Sequence, residues 1–271
     1  IVQSQIVQDV RADFEPEWSR RMLWNRSYSE SRTPPVPAML LELLSHQNFA
    51  DMKYGLDPTF RFTVSRAVYK GMLKFLANRY GVQYQEQPLP VNSFEATRVS
   101  PTSAELSWMP TKDELEPTAD PSGYILYTRI DDGAFDNGSV IGKGDVSEDG
   151  RVHIALETTP GHLYSYKIVA YNDGGMSFPS EVLCVGSPSG SGKGKEVLVV
   201  NNFDRVSPPT WFDTPDYAGF DSRLDAGVAW GYEINYTGEQ YQFRRSLPWT
   251  DNDNPGFGGS FTDMAAHVVP G

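Results

Sequence analysis

The chain has 271 residues, 23 basic and 35 acidic side chains, and a formal net charge of −12. That length fits about two domains, and so acidic a balance speaks against nucleic acid or an anionic membrane as the principal partner, since both demand a basic face. A single cysteine, Cys184, excludes a disulfide framework and a cysteine-rich metal site, and no apolar run approaches the roughly 18 residues of a membrane span.

Along the chain, Ile6, Val7, Val10 and Phe14 recur at helical spacing and stop before Pro16, predicting one short helix. Residues 22–28 read as a strand, followed by a proline-rich turn over 33–37. Apolar Met39, Leu40 and Leu41, set between that proline punctuation and a polar loop, read as a buried strand ending at Glu42. Glu42 then stands at a strand's carboxyl end, where open α/β sheets place their chemistry. Asn48 and Asp51 read as loop and helix-capping groups, and His46 as a surface hydrogen-bonding group in preference to a metal ligand. Asp57 followed by Pro58 is an N-cap with proline at the first helical position. Val64, Ala67, Val68, Gly71, Met72, Phe75 and Leu76 then mark one apolar stripe, with Gly81 as its stop. Two helices and two strands cannot cover a parallel sheet on both faces. We therefore expect an incomplete α/β unit in residues 1–80, its faces covered by residues outside this sequence or by another chain. The sequence also starts at Ile1 with no charged and apolar leader, so any signal peptide is expected upstream or removed and the chain is expected to be a fragment.

The rhythm changes after a linker at residues 85–90. Strand-like stretches at 93–99, 103–109, 122–130, 138–144, 152–158, 163–172 and 181–185 alternate with turn signals and predict a β-sandwich. Trp108 and Tyr164 should lie in or beside its core, and Cys184, within Val-Leu-Cys-Val, should be a core thiol. Residues 187–195, SPSGSGKGK, have linker composition; a phosphate loop would need Gly where Ser187 stands and Ser or Thr where Gly194 stands. Residues 196–200 form an apolar strand that breaks into Asn201, Asn202, Phe203, Asp204 and Arg205. The aromatics beyond it (Trp211, Phe212, Tyr217, Trp230, Tyr232, Tyr236, Tyr241 and Trp249) read as core and loop anchors in preference to a sugar-stacking platform. Asp251 to Gly256 imitates a calcium loop but has Pro255 at the fifth position and Thr262 at the twelfth. His153, His162 and His267 are scattered and make no ligand cluster.

Residues 36–80 resemble the last third of the zinc-dependent N-acetylmuramoyl-L-alanine amidases: Leu41-Glu42, Asn48 and Asp51 fall at matching spacings, with Leu44-Ser45 where that family has Gly-Phe. The resemblance implies that Glu42 is the general base, taking a proton from a zinc-activated water that attacks an amide. Its zinc is held by two His and one Glu upstream; residues 1–35 contain no His, so zinc is expected in the full-length enzyme with ligands outside this chain. Trp108, Tyr124, Tyr127 and the run Leu156, Pro160, Gly161, Tyr164, Ile168, Ala170, Asn172, Gly174 and Ser180 resemble fibronectin type III. Asn201, Phe203, Asp204, Arg205 and the GFGGS run from Gly256 to Ser260 resemble the domain following such modules in bacterial envelope proteins often labelled xanthan lyase. The resemblances imply a multidomain chain. A partial amidase-like α/β unit spans 1–87, an all-β fibronectin type III sandwich 88–188, a linker 189–195, and a partial α/β or β-rich accessory domain 196–271. They imply a secreted or cell-envelope bacterial peptidoglycan hydrolase whose partner is peptidoglycan or another polysaccharide. The alternative is a non-catalytic surface or polysaccharide-binding protein with a degenerate amidase scaffold.

Overall fold

The computed structural model describes residues 1–45, 48–144, 146–190, 195–200, 207–221, 223–227 and 240–244. Among them, four helices precede the first strand: α1 (Val2–Asp13), a single turn α2 (Ser29–Arg32), α3 (Phe49–Gly55) and α4 (Pro58–Tyr80). The expected signals set the ends of α4. The Asp57 carboxylate accepts the Thr59 N–H at 2.8 Å. At the other end Gly81 takes φ +66 while Val82 N–H reaches back to Ala77 O at 3.1 Å, a turn that a Cβ would disfavour. Ile6 and Val10 of α1 pack with Phe60, Val64 and Ala67 of α4 and with Trp18. The helices approach so closely that a Cβ on Gly71 would lie 2.7 Å from Val2 Cα. Beneath this core, Lys70 Nζ meets Asp9 Oδ2 at 2.6 Å, the two side chains being 1 % and 2 % exposed. Gln5 Nε2 donates to Asp9 Oδ1 at 2.8 Å, and Lys74 Nζ donates to Gln5 Oε1 at 2.7 Å.

Two strand expectations are corrected here. Residues 22–28 and 39–42 are not strands, and the described residues of 1–80 contain helices and no sheet. A strand exists only where its backbone finds a ladder partner, and no described segment of this region offers one. Met22 and Leu23 are accordingly 81 % and 77 % exposed, and Met39, Leu40 and Leu41 are 49 %, 44 % and 41 % exposed. The apolar stripe of α4 is likewise covered over its first half only, with Met72, Phe75 and Leu76 facing water.

The β-rich region follows the expected spacing. Its strands are β1 (Asn92–Ser100), β2 (Ser103–Met109), β3 (Gly123–Ile130), β4 (Ser139–Gly142), β5 (Val152–Glu157), β6 (Leu163–Asn172), a short β7 (Gly175–Met176) and β8 (Leu183–Gly186). Antiparallel pairing gives one sheet in the order β1-β2-β5 and a second in the order β4-β3-β6-β7, with β8 also on β6. Inward residues of both sheets, among them Phe94, Leu106, Trp108, Tyr124, Leu126, Tyr166, Ile168 and Val185, make one core. Trp108 meets Tyr124 edge to face at 5.0 Å, a favourable ring geometry. The Tyr164 hydroxyl accepts the Thr159 N–H at 3.1 Å, tying the turn before β6 to that strand. Cys184 corrects another expectation: it is exposed, because on β8 the alternation sends Val185 inward and Cys184 outward opposite Ser165.

The segment before β1 is no free linker either. Glu86 is fully buried; its N–H donates to Thr118 Oγ1 at 3.1 Å and its carbonyl accepts from Asn172 Nδ2 at 2.8 Å. A Cβ on Gly174 would lie 2.8 Å from Gln85 O, so glycine is what lets this strap lie against the sandwich. The Tyr84 hydroxyl donates toward Glu116 Oε2 at 2.9 Å, and burial, followed by that hydrogen bond, pushes its pKa far above the ordinary phenol value.

Beyond the sandwich, residues 196–200 are also no strand: Val197, Leu198, Val199 and Val200 are 81 %, 87 %, 83 % and 72 % exposed. β9 (Trp211–Asp213), β10 (Tyr217–Asp221) and β11 (Gln240–Arg244) form an antiparallel sheet in the order β11-β10-β9. Ala218 and Phe220 of β10 pack on Phe49 and Leu56. By contacts the chain divides into two units, residues 1–75 with the segment from Val200 onward, and residues 76–199; the β9 to β11 sheet thus groups with the helices, where the sequence suggested a third module.

Candidate functional site

Glu42 stands in an irregular segment whose apolar neighbours turn two ways. Leu43 and Leu44 pack against the helical core, whereas Leu41 and Glu42 itself are exposed. Among the described residues the Glu42 carboxylate makes no hydrogen bond and no ion pair. The turn that follows is built by its own side chains. Asn48 Oδ1 accepts Asp51 N–H at 3.2 Å, and Asp51 Oδ2 accepts Ser45 N–H at 2.7 Å. Asn48 is the N-cap of α3, and both side chains are fully buried. The first bond satisfies a backbone donor at the start of α3 and the second one in the turn ahead of it, so Asn48 and Asp51 shape the turn after Glu42. His46 lies outside the described residues.

Zinc is the metal that the amidase resemblance implies, and the described residues of this chain do not fit it. A catalytic zinc takes about three protein ligands and one open position. Among the described residues no group of three His, Cys, Asp or Glu side chains is placed to hold a metal, and residues 1–35 contribute no His.

The described histidines serve other ends. His162 Nδ1 meets Asp131 Oδ2 at 2.7 Å; the Leu163 N–H, with His162 next, holds the Asp131 carboxyl below the usual carboxylate range. His153 lies between Asp149 and Glu105. Of the aromatic residues beyond 200, Phe220 is core, while Trp211 is half exposed and carries Lys53 Nζ 3.8 Å from its ring centre. Trp230, Tyr232, Tyr236, Trp249, Asn201, Phe203, Asp204, Arg205, His267, the Asp251 loop and the Gly256 run lie outside the described residues. The buried Asp9–Lys70 pair escaped sequence reasoning, although a lysine three residues after Ala67, beside the apolar stripe of α4, was a signal for it.

No family model matches the chain, and no curated protein matches it. Solved structures similar to it include the third fibronectin III domain of human KIAA0343 protein (17% identity, 42% of this chain and 94% of that one, TM-score 0.32). The fourth FNIII domain of a human protein is similar at 20% identity over 42% and 91% of the two chains, TM-score 0.33. A structure described as a myokine is similar at 16% identity over 38% and 99%, TM-score 0.30. The sheet order, the Trp108–Tyr124 core and the Tyr164 corner make residues 92–186 a fibronectin type III-like all-β domain. No helix among the described residues is long and apolar enough to cross a membrane.

Proposed function

We propose that this chain is part of a bacterial cell-envelope amidase acting on the bond between N-acetylmuramic acid and L-alanine, with its fibronectin type III-like domain as a spacer. Glu42 is the general base, receiving the proton of the attacking water and passing it to the departing amine. The observation that carries this reading is the setting of Glu42: an exposed carboxylate with no ion pair among the described residues, at the end of an apolar run and just before a turn locked by Asn48 and Asp51. A committed Lys or Arg partner would tie the carboxylate to structure, whereas a base must be open to a water. The exposed residues 39–41 are what a partner sheet would cover. The fibronectin type III-like domain serves here as a spacer, since fold alone never assigns chemistry.

The test uses the whole natural reading frame. Wild-type protein is expected to release peptide from muramyl glycan, and Glu42→Gln to lower that rate by about 10²-fold to 10⁴-fold, the usual contribution of a positioned base. Metal content and melting temperature should stay nearly unchanged, because Glu42 is a base and not a ligand. The 271-residue chain alone should show neither activity nor bound zinc.

One observation favours a second reading, a non-catalytic surface or polysaccharide-binding protein with a degenerate amidase scaffold: the described residues of 1–80 form helices and no sheet, so Glu42 does not end a strand. Full activity in Glu42→Gln, or a wild-type reading frame without zinc, selects that second reading.

A further inference from the structure

Two carboxylates approach the imidazole of His153 from opposite sides. On the outer face of the β1-β2-β5 sheet His153 stands opposite Ser107, and Glu105, two residues earlier on β2, brings Oε1 to 3.4 Å from Nδ1. From the loop between β4 and β5, Asp149 brings Oδ2 to 3.1 Å from Nε2. A neutral imidazole carries one N–H and can donate to one of these oxygens only; engaging both requires the imidazolium, in which both nitrogens are donors.

We propose that His153 is a pH-dependent clasp fastening the β4–β5 loop to the β2–β5 pair, closed when the ring is doubly protonated and half released when it loses a proton. Asp149 is held ready for this contact: its Oδ1 accepts Arg151 N–H at 3.0 Å, and the turn closes through Ser147 N–H to Arg151 O at 2.8 Å. The rest of that sheet face carries both signs of charge. Glu95 and Glu157 point the same way from β1 and β5, and Arg151 is the nearby cation, itself engaged with Glu95 at 3.3 Å and with Ser107. Lys143 and Glu148, on the same loop, make no ion pair among the described residues; Asp145 lies outside them.

The hydrogen bond to Asp149, with that to Glu105 behind it, raises the His153 pKa above the ordinary imidazole value. A folded pKa above the unfolded one means that the clasp stabilises fully below about pH 6.5, the unfolded value, and that this contribution is lost as pH rises through the folded pKa.

Histidine ring resonances followed by NMR in the whole chain test the proposal, together with amide exchange of residues 147–151. In wild-type protein the His153 midpoint should lie above about 6.5, and protection of the loop amides should fall as pH passes that midpoint. Glu105→Gln and Asp149→Asn should each lower the midpoint, and together return it to the ordinary range and make loop protection independent of His153 titration; His162→Gln should leave it unmoved. A wild-type midpoint at or below about 6.5, or a double variant titrating like wild type, overturns the clasp.

Discussion

In the sandwich, the inward faces of β2, β3 and β6 are closed by the opposing sheet, and Trp108, Tyr124 and Ile168 are sealed from water. In α4, a stripe of the same apolar character is closed by α1 only as far as Gly71, and Met72, Phe75 and Leu76 remain in solvent. The difference is one of partners, not of composition. A Greek-key sandwich supplies both halves of its own core within about a hundred residues, so each strand finds its ladder and its facing sheet nearby in the sequence. A helix carries only one side of an interface and depends on whatever else the chain places there. Residues 39–41 show the same dependence for an extended segment: apolar on successive positions, as a strand buried on both faces would be, yet with no ladder partner among the described residues.

Three perturbations sharpen that contrast. Trp108→Ala should have the largest effect, removing a ring from a closed core at a cost of about 3–5 kcal/mol. Hydrogen exchange should then accelerate throughout residues 92–186 and leave α1 and the first half of α4 protected. Deprotection spreading equally through both units would mean that they fold as one.

In the helical region the vulnerable element is polar. Asp9→Ala leaves Lys70 buried and unpaired, and breaking such a pair costs about 3–5 kcal/mol. Replacing both partners, Asp9→Leu with Lys70→Met, should recover most of that loss, since matched apolar residues often substitute for a buried ion pair without penalty. We place this below Trp108→Ala because a half-open region can let water reach the stranded lysine. A double variant no more stable than Asp9→Ala, by amide protection of α1, would show that the pair specifies the α1–α4 docking itself.

The smallest effect should come from Gly174→Ala. The added methyl would strike Gln85 O and the Glu86 backbone near 2.8 Å, and overpacking of this kind costs about 1–3 kcal/mol. Limited proteolysis should then cut residues 82–90 faster, with the sandwich itself intact. An unchanged cleavage rate would mean that the strap is held by Tyr84 and Asn172 without close packing at Gly174.

The β-region and its corner were legible in the sequence because period-two alternation and turn residues are local signals: the seven expected stretches correspond to β1 to β6 and β8. The caps of α3 and α4 were legible for the same reason, each being a contact between residues two or three apart. Three features turned on longer-range partners. Whether the apolar runs at 39–41 and 197–200 become strands depends on a ladder that their own residues cannot supply. Whether Cys184 faces in or out depends on a one-residue phase along β8, which an apolar quartet does not encode. That residues 85–90 are a strap and not a linker depends on Asn172 and Gly174, more than eighty positions away from Glu86 in the case of the Asn172 contact. For the candidate site the division is similar. Sequence alone placed Glu42, Asn48 and Asp51 and assigned the last two their capping role, because residue type and spacing suffice for a turn. Only the tertiary structure decided that Glu42 is open to solvent and makes no ion pair among the described residues, because exposure and pairing depend on how distant segments pack.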